Sequence, residues 1–145
     1  MDNCIFCDID SNIEKERIIY QDSTWIAILD RYPVSEGHTL LIPKRHCETY
    51  FKLNYYELES LGVTIGVVKT ILDSKYKPNG YNIGVNCGEA AGQTVMHCHI
   101  HIIPRYDGDC ENPKGGVRGV IPNKQNYWLW ELLLILKMMR KCQWS

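Results

Sequence analysis

Short apolar stretches that end at turn residues recur along this chain, and they predict a sheet. Each stretch is rich in apolar, mostly β-branched or aromatic residues and is bounded by residues such as Gly, Pro, Asn, Asp or Ser, which is typical of strands. Proline follows two of the stretches directly, where it removes a backbone donor. The pattern predicts strands over residues 17–21, 24–29, 38–42, 81–85 and 94–103.

The clearest element is a helix over residues 54–74. Asn54 is suited to cap its first turn, and Glu57 stands at the reciprocal position of a capping box. Apolar residues recur at spacings of three and four, which predicts one stripe for packing on a sheet: Leu58, Leu61, Ile65, Val68 and Leu72. The chain is therefore predicted to adopt an α+β fold, an antiparallel sheet with one long helix on a face.

Length and composition narrow the class of protein. The chain has 145 residues, 45% of them apolar, and a net charge of −1. This suits one domain with a continuous core and excludes a broad basic face, so we expect no nucleic-acid partner. No signal peptide or bilayer-spanning stretch is evident, so we expect a cytoplasmic protein without a membrane partner. We place the domain at residues 1–126 and predict an apolar, helical tail over 127–145.

The cysteine content points to reduced thiols. There are seven cysteines, an odd number, in a chain without an evident export signal. A disulfide framework is therefore disfavoured, and free thiols or a metal site are favoured.

All five histidines fall in two places. His38 and His46 flank the third predicted strand, whereas His97, His99 and His101 alternate with apolar residues in the last one. A strand points every second side chain to the same face, so the last three imidazoles are predicted to form one row.

Three interpretations of this row compete. It is a solvated strand face that happens to be rich in histidine, a metal site made of alternate histidines, or a catalytic row in which one imidazole attacks phosphorus. The first is disfavoured because three histidines on one face are improbable without a role. Gln93 and Thr94 favour the third because they add neutral donors for phosphate oxygens, and Gly88 and Gly92 allow backbone N–H groups to approach a phosphate.

Two segments resemble the signature blocks of the histidine-triad superfamily. Residues 91–105, AGQTVMHCHIHIIPR, contain His-x-His-x-His followed by two apolar residues, and residues 35–44, SEGHTLLIPK, resemble the upstream block. The resemblance runs from Cys4 to about Pro122. It implies a five-stranded antiparallel sheet with one long helix, paired into a homodimer.

The resemblance also implies roles for individual residues. His99 matches the nucleophile that attacks an α-phosphorus and becomes a nucleotidyl-histidine. His101 matches a phosphate contact, and His38 supports the site from the neighbouring strand. Asp30 matches the position that holds the ribose hydroxyls. Gln93 joins the catalytic group, and it is also one of four residues expected beside the nucleotide and its phosphates: Asn86, Gly92, Gln93 and Thr94.

A second site is expected at the N-terminus. Cys4 and Cys7 have the two-residue gap that lets two thiolates reach one ion, although the same spacing fits two small buried side chains. With His46 and His97 they resemble the four positions that many microbial relatives use as a closed zinc site. Such a Cys₂His₂ site would be structural and would generate no hydroxide.

The expected activity is cleavage of a nucleoside α-phosphate linkage through His99. Residues 92–95 and 103–105 resemble the fragile-histidine-triad branch, which cleaves dinucleoside polyphosphates such as diadenosine tetraphosphate, and residues 112–122 resemble microbial hydrolases of this kind. The segment 4–7 is shared with members close to the nucleoside phosphoramidases, so that activity is an alternative. A nucleotide-binding regulatory module and a metal-transport site also stay open.

Overall fold

Five strands form one antiparallel sheet in the computed structural model, which describes residues 4–9 and 15–126. In chain order, β1 to β5 are Ile18–Gln21, Trp25–Leu29, Thr39–Pro43, Gly80–Val85 and Ile100–Arg105. The spatial order is β1-β2-β3-β5-β4, so the last strand lies between β3 and β4. The predicted α+β fold with a five-stranded antiparallel sheet is confirmed, and β1 and β4 are its edges.

The long helix α1 spans Tyr55–Tyr76, two residues beyond the predicted end. The capping box is present, because the Asn54 side chain accepts from the Glu57 N–H (3.0 Å) and the Glu57 carboxylate accepts from the Asn54 N–H (2.7 Å). The helix ends where Lys77 adopts the left-handed conformation, with φ 51°.

The apolar stripe of α1 is largely as predicted. Val68 and Leu72 are fully buried, and Leu61 and Ile65 pack against the same core. Leu58, however, is 45% exposed, so its predicted place in the stripe is wrong. The buried residue in that turn is Glu57, which the capping box and Arg45 hold in place.

Both faces at the centre of the sheet are covered, which explains why β2 is continuously apolar. Trp25 and Ala27 belong to the core beneath α1. The opposite face carries a second apolar cluster that includes the N-terminal segment: Phe6, Ile9, Ile26, Ile28, Leu40 and Ile42.

The last strand differs most from its prediction. It begins at Ile100 rather than at residue 94, and within the described chain residues 94–99 belong to no strand. The backbone there follows another path, in which the Cys98 N–H donates to the Cys47 carbonyl (2.7 Å). Cys98 is buried in the core, as predicted.

Proline does not end β5 as expected. Pro104 pairs with Tyr81 of β4, and the strand continues to Arg105. The ladder with β3 ends at Ile102, so the missing N–H of Pro104 interrupts no pairing on that side. The register places His101 between Leu40 of β3 and Gly84 of β4.

Glu57 is expected to stabilise the start of α1 through an ion pair in which Glu57 is buried and Arg45 is half-exposed. Its carboxylate accepts from Arg45 Nε (2.9 Å) and Nη2 (2.8 Å). Burial alone would raise the pKa of Glu57, but the hydrogen bonds from Arg45 and Asn54 outweigh it and lower the pKa. The pair therefore contributes stability above pH about 4.5 and loses it as the pH falls through the lowered pKa.

We therefore expect Glu57→Gln to lower the free energy of unfolding by about 2 kcal/mol at pH 7, less than for a fully buried pair because Arg45 is half-exposed. The difference from wild type should shrink as the pH is lowered from about 5 toward 3. Denaturation followed by circular dichroism measures this, with Glu59→Gln on the exposed side of the helix as the matched control. Equal stability of Glu57→Gln and wild type at pH 7 would contradict the assignment.

Residues 108–126 belong to a separate compact unit. It contains two short 3₁₀ helices, Gly116–Val120 and Pro122–Lys124, and the Gln125 side chain donates to the Lys114 carbonyl (3.1 Å). The predicted tail, 127–145, lies outside the described residues, so the boundary at residue 126 stays a prediction. No helix in the described part of the chain combines the length and apolar character needed to cross a membrane.

Candidate active site

A pocket of about 860 Å³ opens beside β2, β3 and two of the histidines. Part of its wall is apolar: Phe6, Ile28, Leu40 and Val95. Polar groups predicted from the sequence line it as well: Asp30, Thr94, His99 and His101. This combination suits a ligand with a flat apolar part and a charged part.

A backbone carbonyl fixes the tautomer of His99. The residue is buried, and its Nδ1 lies 2.8 Å from the His97 carbonyl oxygen. Because a carbonyl only accepts, Nδ1 carries a proton, and the lone pair of the neutral ring is on Nε2. This is the tautomer that a nucleophilic imidazole needs.

His101 is held as a donor by a chain of two hydrogen bonds. The Val34 N–H donates to His38 Nδ1 (3.3 Å), so His38 carries its proton on Nε2 and donates it to His101 Nδ1 (3.0 Å). The proton of neutral His101 is then on Nε2. Among the described residues this nitrogen is the one buried side-chain polar atom without a hydrogen-bond partner. An anionic ligand oxygen would satisfy it.

Asp30 lies beside this histidine pair. Its Oδ1 accepts from the Tyr32 N–H (2.9 Å), and its Oδ2 lies 3.6 Å from His38 Nδ1, beyond a hydrogen bond. Oδ2 can therefore accept from a ligand hydroxyl. The structure brings Asp30, His99 and His101 to one pocket and places His38 behind His101, and their roles toward a ligand stay predictions.

The stability of the protein without a bound ligand should fall as the pH is lowered from 6.5 to 4. Burial lowers the pKa of His101 to about 4, and neighbouring His99 and His38 act in the same direction while Asp30 opposes them. Burial also lowers the pKa of His38, against Asp30. The unfolded chain takes up these protons below about pH 6.5 and the folded chain only at lower pH, so acid favours unfolding.

Denaturation at several pH values tests this prediction with His101→Gln as the comparison. The variant lacks one titrating group, so its stability should depend less steeply on pH over this range. An unchanged slope would contradict the buried, neutral state of His101.

The loop between β4 and β5 is closed by Gln93. Its Oε1 accepts from the Gly88 N–H (2.7 Å), and its Nε2 donates to the carbonyls of Glu48 and Val95. Gln93 is 3% exposed and is not among the residues that line the pocket. Both the oxygen and the nitrogen of its amide are hydrogen-bonded within the protein. This geometry does not favour a contact with a ligand, so the catalytic role of Gln93 stays a prediction.

Of the other residues predicted to contact the nucleotide from this loop, some line the pocket and some do not. Thr94 lines the pocket, whereas Asn86 and Gly92 do not. Gly92 has a φ of 85°, a left-handed conformation in which a side chain would be strained. The glycine therefore shapes the loop, and nucleotide contacts by Asn86 and Gly92 stay predictions.

The four residues of the second predicted site lie together in one cluster. One ligand atom from each of Cys4, Cys7, His46 and His97 lies within 4.8 Å of all the others. His97 thus faces the two cysteines, whereas His99 and His101 adjoin each other, with ring centroids 5.2 Å apart. The prediction of a single row along a strand is wrong, because of these three histidines only His101 lies in β5.

The geometry of the cluster fits a tetrahedral zinc ion. Ligand distances of about 2.3 Å to sulfur and 2.0 Å to nitrogen place neighbouring S and N atoms about 3.5 Å apart. Cys4 Sγ and Cys7 Sγ lie 3.4 and 3.6 Å from His97 Nδ1, and Cys7 Sγ lies 3.2 Å from His46 Nδ1. His97 Nε2 donates to the Pro43 carbonyl (2.8 Å), which leaves the Nδ1 lone pair for a metal.

Several residues of the pocket were missed by sequence reasoning. They include Ile5, Phe6, Arg17, Arg31 and Tyr32. Ile5 and Phe6 lie between Cys4 and Cys7, and Arg31 and Tyr32 follow Asp30 directly. Their closeness in sequence to these predicted site residues is the one feature that could have identified them. No feature of the sequence around Arg17 predicts its place in the pocket. Its guanidinium donates to the Leu29 carbonyl (2.7 and 3.0 Å) and holds the end of β2 before Asp30.

Several known proteins are similar to this chain over most of its length. Over 114 residues the chain is 43% identical to an uncharacterised HIT-like protein of Methanocaldococcus jannaschii, covering 78% of this chain and 87% of that protein. It is 34% identical over 108 residues to the adenylylsulfatase HINT3 of Arabidopsis thaliana, covering 74% and 55% of the two chains.

A solved structure is also similar, that of a zinc-bound histidine triad family protein from Mycobacterium smegmatis. The identity is 32% and the TM-score 0.68, over 76% of this chain and 80% of that one. The HIT domain family model matches residues 12–108. The chain therefore belongs to the HIT domain family, the histidine-triad superfamily of nucleotide-binding hydrolases and transferases.

Proposed function

We propose that this chain cleaves the bond between the α-phosphorus of a nucleotide and its leaving group, with dinucleoside polyphosphates as the substrate class. His99 Nε2 attacks the α-phosphorus, and the remaining polyphosphate leaves with the electron pair of the broken P–O bond. Water then attacks the same phosphorus, which breaks the N–P bond and releases a nucleoside monophosphate and free His99.

One observation carries the proposal. The lone pair of His99 Nε2 and the unpartnered N–H of His101 belong to adjacent rings of one pocket. A phosphoryl group needs both a nucleophile at phosphorus and a donor for the oxygen on which charge develops. Because the pKa of His101 is about 4, this donor is neutral at pH 7 and keeps its Nε2 proton.

The remaining pocket residues support a nucleotide as the ligand. The Asp30 carboxylate is suited to accept from both ribose hydroxyls, and Thr94 adds a hydroxyl next to the phosphates. The apolar wall suits a stacked base. Arg17 and Arg31 supply positive charge for a polyphosphate.

Three substrates that share an adenylyl group test the proposal. They are diadenosine tetraphosphate, adenosine 5′-phosphoramidate and adenylyl sulfate, and each would give AMP through the same intermediate. Adenylyl sulfate is included because a relative is named an adenylylsulfatase. We expect kcat/KM, measured from AMP release, to be highest for diadenosine tetraphosphate.

Each other outcome favours a different function. A higher kcat/KM for the phosphoramidate would replace the proposal with a phosphoramidase, and a higher one for adenylyl sulfate would replace it with a sulfatase. Binding of AMP without turnover of any substrate would favour a regulatory module. Copper or zinc bound by His99 and His101, without AMP binding, would favour metal transport.

We further propose that the Cys4, Cys7, His46 and His97 cluster holds a structural zinc ion. Four protein ligands leave no open position on a tetrahedral metal, so the ion would supply a cross-link and no hydroxide. The support is the fit of the S···N distances and the hydrogen bond from His97 to Pro43. The zinc-bound relative agrees with this assignment.

We expect the chain to form a homodimer through β4 and α1. Strand β4 is an edge of the sheet, and its Ile83 is 44% exposed. On α1, Val63 is 72% exposed beside the small residues Gly62 and Gly66. An apolar sheet edge beside an apolar helix face suits a second copy of the same chain.

Light scattering at micromolar concentration should therefore report the mass of a dimer, and Val63→Glu should shift it to that of a monomer. Gln21→Glu on the opposite edge strand, β1, is the matched control and should leave the mass unchanged. A monomeric wild type would rule out this assembly.

A further inference from the structure

The segment that supplies two metal ligands also forms part of the pocket. We call residues 4–9 the N-terminal knuckle. Cys4 and Cys7 belong to the metal cluster, whereas the intervening Ile5 and Phe6 line the pocket, as do Cys4 itself and Asp8. One short stretch of chain therefore serves two sites.

Phe6 contacts a histidine of each site. Its ring packs edge-on against the metal-ligand candidate His97, with centroids 5.9 Å apart, and against the nucleophile candidate His99, at 5.4 Å. Phe6 is only 8% exposed. Its position is therefore set jointly by the metal cluster on one side and the pocket on the other.

His97 joins the two sites a second time. Its ring faces the cysteines, and its carbonyl accepts the hydrogen bond that fixes the tautomer of His99. A displacement of His97 thus reaches His99 through the backbone as well as through Phe6.

The knuckle lies outside the sheet. A turn hydrogen bond from the Cys7 N–H to the Cys4 carbonyl (3.0 Å) closes it, and none of its residues belongs to the sheet. Phe6 and Ile9 anchor it to the second apolar cluster on β2 and β3. Ordering six residues costs conformational entropy, and a metal cross-link would add to the burial of these two side chains in keeping the wall in place.

We infer that metal binding and nucleotide binding are coupled in this chain through the knuckle, with Phe6 as the connecting residue. The metal orders the knuckle and completes the pocket wall, and a nucleotide in the pocket holds the knuckle against its metal. The coupling rests on the proposed zinc and nucleotide sites. It must be reciprocal, because each ligand changes the affinity of the other by the same factor.

The experiment measures both directions with AMP as the nucleotide probe. We expect AMP to bind about tenfold more weakly to metal-stripped protein than to zinc-loaded protein in calorimetry, within the usual range of such coupling. Saturating AMP should tighten zinc binding by the same factor in competition with a chromophoric chelator. If the stripped protein unfolds, AMP would tighten zinc binding through folding alone, and the comparison of zinc-loaded Phe6→Ala with zinc-loaded wild type then decides whether the knuckle carries the coupling.

Two variants distinguish the contribution of the pocket wall to AMP binding from that of apolar packing in the knuckle. Phe6→Ala keeps all four ligands, so it should retain one zinc per chain but bind AMP more weakly and lose most of the coupling, with the His97 carbonyl as the remaining route. Ile9→Ala removes a buried apolar side chain of the same segment that does not line the pocket. When zinc-loaded, it should bind AMP within about twofold of wild type and retain the coupling.

The possible failures are distinct. Equal AMP affinity with and without zinc would overturn the coupling and leave the proposed function intact. A full coupling in Phe6→Ala would overturn the assignment of Phe6 as the connecting residue. Failure of zinc-loaded wild type to bind AMP would overturn the proposed function itself. A protein that binds no zinc would overturn the inference together with the zinc site.

Discussion

Replacing His99 with Asn is expected to lower the turnover of diadenosine tetraphosphate by about a thousandfold or more, while AMP affinity changes by less than about threefold. The Asn amide can still donate to the His97 carbonyl, which now fixes His99 Nδ1. It has no counterpart of Nε2, so the covalent route is closed. Steady-state kinetics and calorimetry on the same preparation measure the two effects.

Chemical rescue is the matched control for this variant. His99→Gly leaves a cavity where the imidazole ring stood, and added imidazole should restore part of the turnover by attacking the α-phosphorus in its place. Turnover of His99→Asn within tenfold of wild type would contradict the assignment, as would a failure of imidazole to act on His99→Gly while AMP still binds.

Removal of either knuckle cysteine should have the second large effect. Cys4→Ser and Cys7→Ser are each expected to lose zinc and to lower Tm by about 10 °C or more, because metal-binding free energy is folding free energy. The His97 ring would lose partners that now lie 3.4 and 3.6 Å from its Nδ1. Elemental analysis and thermal denaturation measure the two changes.

Cys110→Ser is the control for thiol loss. Cys110 is exposed and lies outside the cluster. The variant should keep its full zinc content and lower Tm by much less than Cys4→Ser or Cys7→Ser. Full zinc in both Cys4→Ser and Cys7→Ser would reject the site, and loss of zinc from His99→Asn instead would place the metal in the catalytic pair.

The sequence predicted the elements whose signals are local. The start of α1 depends on Asn54 and Glu57, which lie within one turn, and both capping bonds are present. The strands were located to within about two residues, except for β5. There, alternation of histidines with apolar residues indicated a strand from residue 94, although the backbone enters the sheet only at Ile100.

The sequence predicted correctly that His99 and His101 lie side by side, but strand periodicity was the wrong reason. His99 and His101 do lie side by side, but His99 precedes the strand, so strand periodicity does not explain the contact. His97 turns away toward residues more than 40 positions distant, Cys4, Cys7 and His46. The separation of His97 from His99 and His101 was indicated only by the residue types and by the family resemblance.

Roles that depend on distant backbone could not be predicted. Gln93 resembles a phosphate contact by type and position, yet one of its partners is a carbonyl 45 residues away, at Glu48. No pattern around residue 93 reveals that partner. The same holds for Phe6, which reaches the pocket only because the knuckle folds over β2 and β3.

The closure of the β4–β5 loop by Gln93 has a consequence for the entropy of binding. Gly88, at one end, and Val95, at the other, are both bonded to one buried amide, so the loop is ordered before any ligand arrives. A phosphate that docks against Thr94 therefore need not first freeze a mobile loop, which is a cost that many anion-binding loops bear when their ligand enters. The conformational entropy of the loop is lost when the protein folds. Contacts with the ligand at this end of the pocket can therefore orient it without also having to order the loop.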